Sequence, residues 1–285
     1  MGFSRTKFVI VLCLAVFAVA TGQSTAHGDG LLHVYFFNIG QGDAMLIQSP
    51  EGKQVLIDGG PDQKIIGELS KVMPFYDRSL DVVMASHPHA DHIAGLIEVL
   101  RRYDVDRIIQ AGEEYRSPEF TTWRQAVADE HAQNIDATAG TVIDLGDGAT
   151  LAILYPFQSV GGTVTDKPHD DNVVAMLHYK QMRILFTGDM ERPVEQTLIT
   201  NGLSLNADVL KVGHHGSKTS SSESFLAAVQ PQAAFIEVGK KNRYGHPSPV
   251  VLKRLENFSI PYYRTDTDGT MELTSDGKQF IVKKF

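Results

Sequence analysis

Three imidazoles and a carboxylate crowd into six residues, His87-Pro88-His89-Ala90-Asp91-His92. Neutral imidazole is the commonest metal ligand among side chains, and a carboxylate adds the charge that a divalent cation draws on. In extended backbone alternate side chains share a face, so His87 and His89 can hold one ion. Asp91 and His92 lie further on and can address a second. A lone His-x-His is common among solvated loop histidines; four donors this close at a strand end point to a metal site. The second half of the chain offers more donors in the same style. His169 is followed by Asp170, Asp171 and Asn172, Asp189 ends the apolar run Ile184-Leu185-Phe186-Thr187-Gly188, and His214-His215 follow Val209-Leu210-Lys211-Val212-Gly213. A two-metal site takes roughly six to eight nitrogen and oxygen donors, about four per ion with some shared. An all-nitrogen-and-oxygen set favours zinc, with manganese as the alternative.

These donors need a scaffold, and the hydrophobic pattern supplies one. The first motif follows the apolar run 80–86, and Ile93, Leu96, Ile97 and Leu100 then recur at helical spacing, which predicts a buried strand over 81–86 running into a helix over 93–103. Upstream, strands over 32–37, 44–48 and 54–57, the first two joined by the glycine turn 38–43, read as a β-meander, followed by a helix over 65–73. Downstream come a short strand over 107–111 and a helix opened by Ser117-Pro118-Glu119, a cap residue, a first-turn proline and an acid. The second half predicts strands over 141–143 and 150–155 and a hairpin of 173–178 with 184–187. Helices over 191–201, 222–229 and 249–256 then alternate with strands over 207–212, 233–238, 262–264 and 270–274. The candidate ligands therefore fall at strand ends, the usual place for chemistry on α/β scaffolds. Pattern alone gives a mixed α/β domain.

Composition narrows the setting. Arg5 and Lys7, the apolar run 8–20 and Ala18-Val19-Ala20 have the layout of a secretory signal peptide over residues 1–22. Thirteen apolar residues are short of the roughly 20 that span a bilayer, so cleavage and a secreted or periplasmic destination are expected, with an uncleaved anchor as the alternative and no membrane contact once the segment is removed. The single cysteine, Cys13, lies in that run, so the mature chain has no disulfide and no thiolate ligand. Residues 31–285 are enough for one large α/β domain. Loss of Arg5 and Lys7 takes the formal net charge from −8 to −10. An acidic chain is a poor general binder of nucleic acid, where phosphate neutralisation dominates affinity, although a local basic groove remains compatible.

The motifs together resemble the metallo-β-lactamase superfamily of two-metal hydrolases. They are most similar to the domain of that type found in ComEC DNA-uptake proteins and in free-standing secreted relatives. The pieces that carry the resemblance are Gly40-Gln41-Gly42-Asp43-Ala44, Leu56-Ile57-Asp58-Gly59-Gly60, Ser86 with the His87–His92 motif, Phe186-Thr187-Gly188-Asp189, Leu210-Lys211-Val212-Gly213-His214-His215-Gly216-Ser217 and Asn242-Arg243-Tyr244-Gly245-His246-Pro247. The resemblance implies a four-layer αββα sandwich. It implies that His87 and His89 hold a first ion, that Asp91 and His92 hold a second, and that Asp189 bridges both. One of His214 and His215 completes the second site, and His169 or a neighbouring aspartate completes the first. Asn38 stands where the family usually has aspartate, and a structural consequence is expected there.

The implied activity is hydrolysis by a hydroxide activated between two divalent ions, oriented by Asp91 or Asp189. His246 is expected across the site as proton donor or oxyanion partner, and Lys218, Asn242 and Tyr244 as substrate contacts. Phosphodiesters are the first substrate class, as in a phosphodiesterase or nuclease. Another ester or amide, lactams and lactones included, is the alternative, because a fold does not fix a substrate. A metal-bound binding protein without turnover is the third reading, and the intact donor set argues against it. Substrate choice is expected in loops 113–140 and 156–170. The oligomeric state is left open.

Overall fold

The expected β-meander forms as β1 (Leu32–Phe36), β2 (Met45–Gln48) and β3 (Gln54–Ile57), antiparallel throughout. The structure, a computed structural model, describes residues 29–285; the expected signal segment lies outside the described residues. From β3 the chain changes habit. Three steps of helix and strand follow: α1 (Lys64–Val72), β4 (Ser79–Met84), α2 (Ala90–Leu100), β5 (Asp104–Gln110), α3 (Pro118–Asp129) and β6 (Gln133–Asp136). Here β3, β4, β5 and β6 pair in parallel, and helices cover the crossovers as parallel pairing requires. The second half repeats the plan. The strands β7 (Val142–Asp144), β8 (Ala149–Tyr155), β9 (Val174–Tyr179) and β10 (Met182–Phe186) are antiparallel. Then α4 (Arg192–Thr200), β11 (Val209–Lys211), α5 (Glu223–Val229), β12 (Ala233–Ile236), α6 (Pro249–Asn257) and β13 (Tyr262–Arg264) extend that sheet in parallel. A short α7 (Thr265–Asp268) leads to β14 (Met271–Ser275) and β15 (Phe280–Lys284), which return to the first sheet beside β1.

The result is an eight-stranded sheet in the order β15-β14-β1-β2-β3-β4-β5-β6 and a seven-stranded sheet in the order β13-β12-β11-β10-β9-β8-β7. Three apolar cores show how they stack. One lies between the sheets, where Phe36 of β1 stacks on Phe235 of β12 with ring centroids 4.0 Å apart. A second joins the outer face of the first sheet to α1, α2 and α3. The third joins the outer face of the second sheet to α4, α5 and α6. Helix, sheet, sheet, helix is the expected αββα sandwich. Among the described residues no helix is long and apolar enough to cross a membrane.

Local chemistry accounts for several element ends. Ser117 Oγ accepts from Phe120 N at 3.0 Å and Pro118 opens α3, as the sequence predicts. Trp123 of α3 is buried and donates from Nε1 to Gln110 Oε1 at 2.8 Å, fixing the helix to β5. The chief departures from expectation are the start of α2 and the two edge strands. The helix begins at Ala90, so Asp91 and His92 belong to its first turn rather than to a loop before it. β6 and β15 were not anticipated. Both are edge strands with mostly exposed residues, so no burial pattern marks them.

Candidate metal centre

The parallel strands of both sheets aim their C-terminal ends at one place, the region where α/β sheets bind ligands. β3 delivers Asp58, β4 delivers Ser86, His87 and His89, and the first turn of α2 delivers Asp91 and His92. From the other sheet, β10 delivers Asp189, β11 delivers His214 and His215, and the segment before β9 delivers His169. Close packing holds the two halves of the first motif in place. Gly42, in the turn between β1 and β2 at φ +135°, would place a Cβ 2.1 Å from the carbonyl oxygen of Asp91. Only glycine lets that turn press against the start of α2.

The hub of the cluster is Asp189 Oδ2. His92 Nε2 lies 3.4 Å from it, His215 Nε2 3.5 Å, and His87, His169 and His214 Nε2 each 3.8 Å. Two groups of donors flank this oxygen. On one side His87 Nε2 and His169 Nε2 lie 3.0 and 3.2 Å from His89 Nδ1. On the other, Asp91 Oδ2 lies 3.3 Å from His215 Nε2 and 4.0 Å from His92 Nε2. In each trio the potential ligand atoms fall within 4.8 Å of one another, close enough for one ion. Thus His169 is the residue that meets His87 and His89, while Tyr155 Oη donates to the backbone carbonyl of Asp170. Of the two adjacent histidines, His215 joins Asp91 and His92. His214 lies on the other side of Asp189, where with His169 it forms a further trio whose donor atoms come within 4.8 Å of one another; its ring is 4.4 Å from His169 and 5.6 Å from His246.

The donors fit a cation. His92 Nε2 and His215 Nε2 are buried with no hydrogen-bond partner, 3.4 and 3.5 Å from Asp189 Oδ2. A buried polar atom left unpaired costs about 1–3 kcal/mol, and these atoms face the shared centre. The electrostatics agree. Burial above all, with neighbouring imidazoles, pushes His87 well down and His89 to about 4, which leaves neutral rings with lone pairs to offer. For His92 and His215 burial pulls the same way, but Asp189 and the carboxylates beside them outweigh it. His92 is raised well above its ordinary value and His215 to about 10. Asp91 is lowered to about 2, because His92 and His215 overcome the effect of burial. The pocket carries surplus negative charge that protons relieve, and a divalent cation relieves it equally.

A further layer orients these rings. Asp58, buried and at φ +57°, accepts from Ser86 N (2.8 Å), Ser86 Oγ (2.7 Å) and His92 Nδ1 (2.8 Å). His215 Nδ1 donates to the carbonyl of Glu237 at 3.0 Å, with Asp43 Oδ1 3.1 Å away. Glu191 Oε1 lies 2.9 Å from His214 Nδ1 and 3.6 Å from His169 Nδ1. Asn172 accepts from Asp189 N at 2.9 Å and donates to Thr187 O at 2.8 Å, clamping the turn that presents Asp189. Such partners fix the tautomer and direction of ligand side chains. Sequence reading gave no role to Asp58, Asp43, Glu191 or Glu237. Asp43 and Asp58 sit inside two of the motifs that carry the resemblance, which was the available signal; for Glu191 and Glu237 there was none.

The residues expected to meet substrate are placed unevenly. His246 lies at the rim beside His214, with Nδ1 buried and unpartnered; burial and the neighbouring rings push it down to about 4. Tyr244 is exposed and stacks on His246 at 5.8 Å. Asn242 is engaged within its own loop. Its Oδ1 accepts from Tyr244 N and His246 N, and its Nδ2 donates to Gly239 O and His246 O. These four bonds build the turn that presents His246. Lys218 points into an open groove of about 810 Å³ with Arg192 and Arg254, separated from the histidines by Glu191 and Thr219. A second groove of about 780 Å³, lined by Tyr115, Arg116 and Arg124, adjoins the other flank, where Tyr115 packs 5.5 Å from His89.

The sequence model of the metallo-beta-lactamase superfamily matches residues 38–239, a span that holds every one of the clustered histidines except His246. The chain is 31% identical over 258 residues to "ComE operon protein 3" of Bacillus subtilis (strain 168), covering 84% of this chain and 32% of that protein. It is 30% identical over 241 residues to "Recombination protein 2" of Haemophilus influenzae, covering 83% and 28% respectively. The chain therefore spans about a third of the length of the curated relatives it matches. Two solved structures share the fold at 12% identity. One is CmlA, a diiron beta-hydroxylase from Streptomyces venezuelae, with a TM-score of 0.54 covering 92% of this chain and 59% of that one. The other is Zn(2+)-bound PqqB from Methylobacterium extorquens, with a TM-score of 0.51 covering 81% and 97%.

Proposed function

Because the chain belongs to the metallo-beta-lactamase superfamily, as a metal-dependent hydrolase, we propose that it holds two divalent ions and hydrolyses phosphodiesters. The observation that carries the two-ion reading is Asp189 Oδ2 at the junction of the His87/His89/His169 and Asp91/His92/His215 trios. Held by these residues, two divalent ions would supply Lewis acidity and lower the pKa of water to about 7. The donors suit zinc, and the match to a zinc-bound fold relative is consistent with it, with manganese the alternative.

The chain's own residues set the rest. Asp189 and Asp91 present carboxylate oxygens that can accept a proton from a nucleophilic water. His246, on the open side, offers an unpartnered ring nitrogen to the departing oxygen or to a substrate anion. Two features support a phosphodiester. Open grooves flank the centre rather than a closed pocket, which suits an extended substrate. Arg116, Arg192 and Lys218, which line them, have no ion-pair partner among the described residues, so cationic groups face the path despite the acidic net charge. The name of one relative, a recombination protein, points the same way.

The test is metal analysis of purified protein, then turnover of bis-p-nitrophenyl phosphate, single-stranded DNA, a chromogenic lactam and simple esters. Phosphodiester turnover that needs two ions per chain supports the reading; turnover of the lactam or ester alone replaces it with that alternative. His246→Ala should slow poor leaving groups by about 10²–10⁴-fold and p-nitrophenolate less, as loss of a general acid does. Equal slowing removes His246 from that role. Export belongs to the same proposal: N-terminal sequencing of exported protein should begin just after Ala20, and recovery of the full chain in membranes would make the segment an anchor.

A further inference from the structure

Lys211 is a cation in an unexpected place. It ends β11, every residue of which is buried, and its own exposure is 0%. An apolar side chain would be the ordinary occupant, since an ammonium withdrawn from water costs several kcal/mol unless it is paired. Its Nζ meets Asp43 Oδ2 and donates to the carbonyl of Gly188 at 2.9 Å. Each contact leads to a different ligand. Asp43 Oδ1 lies 3.1 Å from His215 Nδ1, and Gly188, at φ +49°, immediately precedes Asp189.

We propose that Lys211 is a positioning residue of the metal centre: its ammonium holds Asp43 as an oriented carboxylate behind His215 and pins the Gly188 carbonyl, so that His215 and Asp189 stay aimed at one ion.

Three observations carry this. Asp43 is wholly buried and no backbone N–H or hydroxyl donates to either oxygen; the cationic partner it touches is Lys211, with the His215 ring at 3.1 Å and His92 Nδ1 more distant at 4.0 Å. Asp58, the counterpart behind His92, needs no lysine because Ser86 donates to it from both N and Oγ. Glu237, the other acid near Lys211, accepts from Ala44 N at 3.1 Å and makes no direct contact with the ammonium, which meets Asp43 instead. Remote partners of metal ligands are typically worth 10–100-fold in metal affinity, and two residues that act as one unit are not additive.

The inference rests on the two-ion reading and is independent of the substrate. The probe is Co²⁺ alone, titrated into metal-free protein, with binding and coordination followed by visible absorption. The variants are Lys211→Met, Asp43→Asn and the double variant, which carries no orphaned buried charge and so keeps the test open if a single variant fails to fold. Each is expected to bind one Co²⁺ about 10–100-fold more weakly than the wild type, with an altered absorption band for that ion. The double variant should be no worse than either single one. Wild-type affinity and spectrum in the double variant, or losses that multiply, would overturn the proposal while two ions in the wild type leave the hydrolase reading standing. Fewer than two ions in the wild type would overturn both.

Discussion

Replacing Asp58 with asparagine tests the orienting layer with the least change of shape. Asparagine tolerates the left-handed backbone that Asp58 adopts at φ +57°, so the turn itself survives. The hydrogen bonds do not. The carboxylate accepts from Ser86 N at Oδ1, and from Ser86 Oγ and His92 Nδ1 at Oδ2. If the amide nitrogen takes the Oδ1 position it faces Ser86 N–H, donor against donor. If it takes the Oδ2 position it faces His92 Nδ1, and the imidazole must reverse its tautomer or lose the bond. Unless the imidazole reverses, one buried donor is orphaned, at about 1–3 kcal/mol; if it does reverse, Nε2 carries the proton and loses the lone pair it would offer an ion. The metal-free protein should be less stable by that amount in urea. Loss of the anionic partner behind His92 should also weaken one ion about 10–100-fold, or about 1.4–2.7 kcal/mol. The assay is competition with a chromophoric chelator, which resolves the two ions as two steps. The step of the ion held by Asp91, His92 and His215 should shift, and the other much less. Unchanged stability with both steps in place would refute the role given to Asp58; equal shifts of both would refute its restriction to one ion.

Other outcomes follow from the same geometry. Asp189→Ala should weaken both ions, since its Oδ2 is shared by both trios; elemental analysis showing one ion retained at full affinity would remove the bridge. His215→Ala should leave one ion per chain and His214→Ala two, and the reverse result would exchange their roles. Glu113, buried beside His87 with Oε1 unpartnered, is raised to about 7 by burial, so the folded state binds its proton more tightly than the unfolded state. Stability should therefore fall as pH rises from about 4.5 to 7, by about 2–3 kcal/mol. Glu113→Gln should lack that component, gaining on the wild type at pH 8 relative to pH 5 in urea midpoints, and parallel pH profiles would contradict it.

Much of this centre is legible in the chain because its ligands come in short runs. His87 to His92, Gly188-Asp189 and His214-His215 each end an apolar strand, and a strand that must be buried announces where its open end lies. Identity of the donors, their order and the αββα class follow from these runs, the hydrophobic periods and the resemblance they support. The edge strands β6 and β15 escaped because an edge with few buried residues leaves no period to read. The start of α2 escaped because its first turn is chosen by the ligands and by Gly42 packed against Asp91, not by apolar spacing. What only the tertiary structure decides is which atoms meet. His215 rather than His214 joins Asp91 and His92. His169 crosses from the other sheet to meet His89, and Asn242 turns inward to its own loop. The carboxylates behind the rings, Asp43, Asp58 and Glu191, arrive from strand ends that are distant in the chain or from the opposite sheet. Direction at a metal centre depends on such contacts across the fold, and local sequence carries no record of them until two sheets stack and bring their strand ends together.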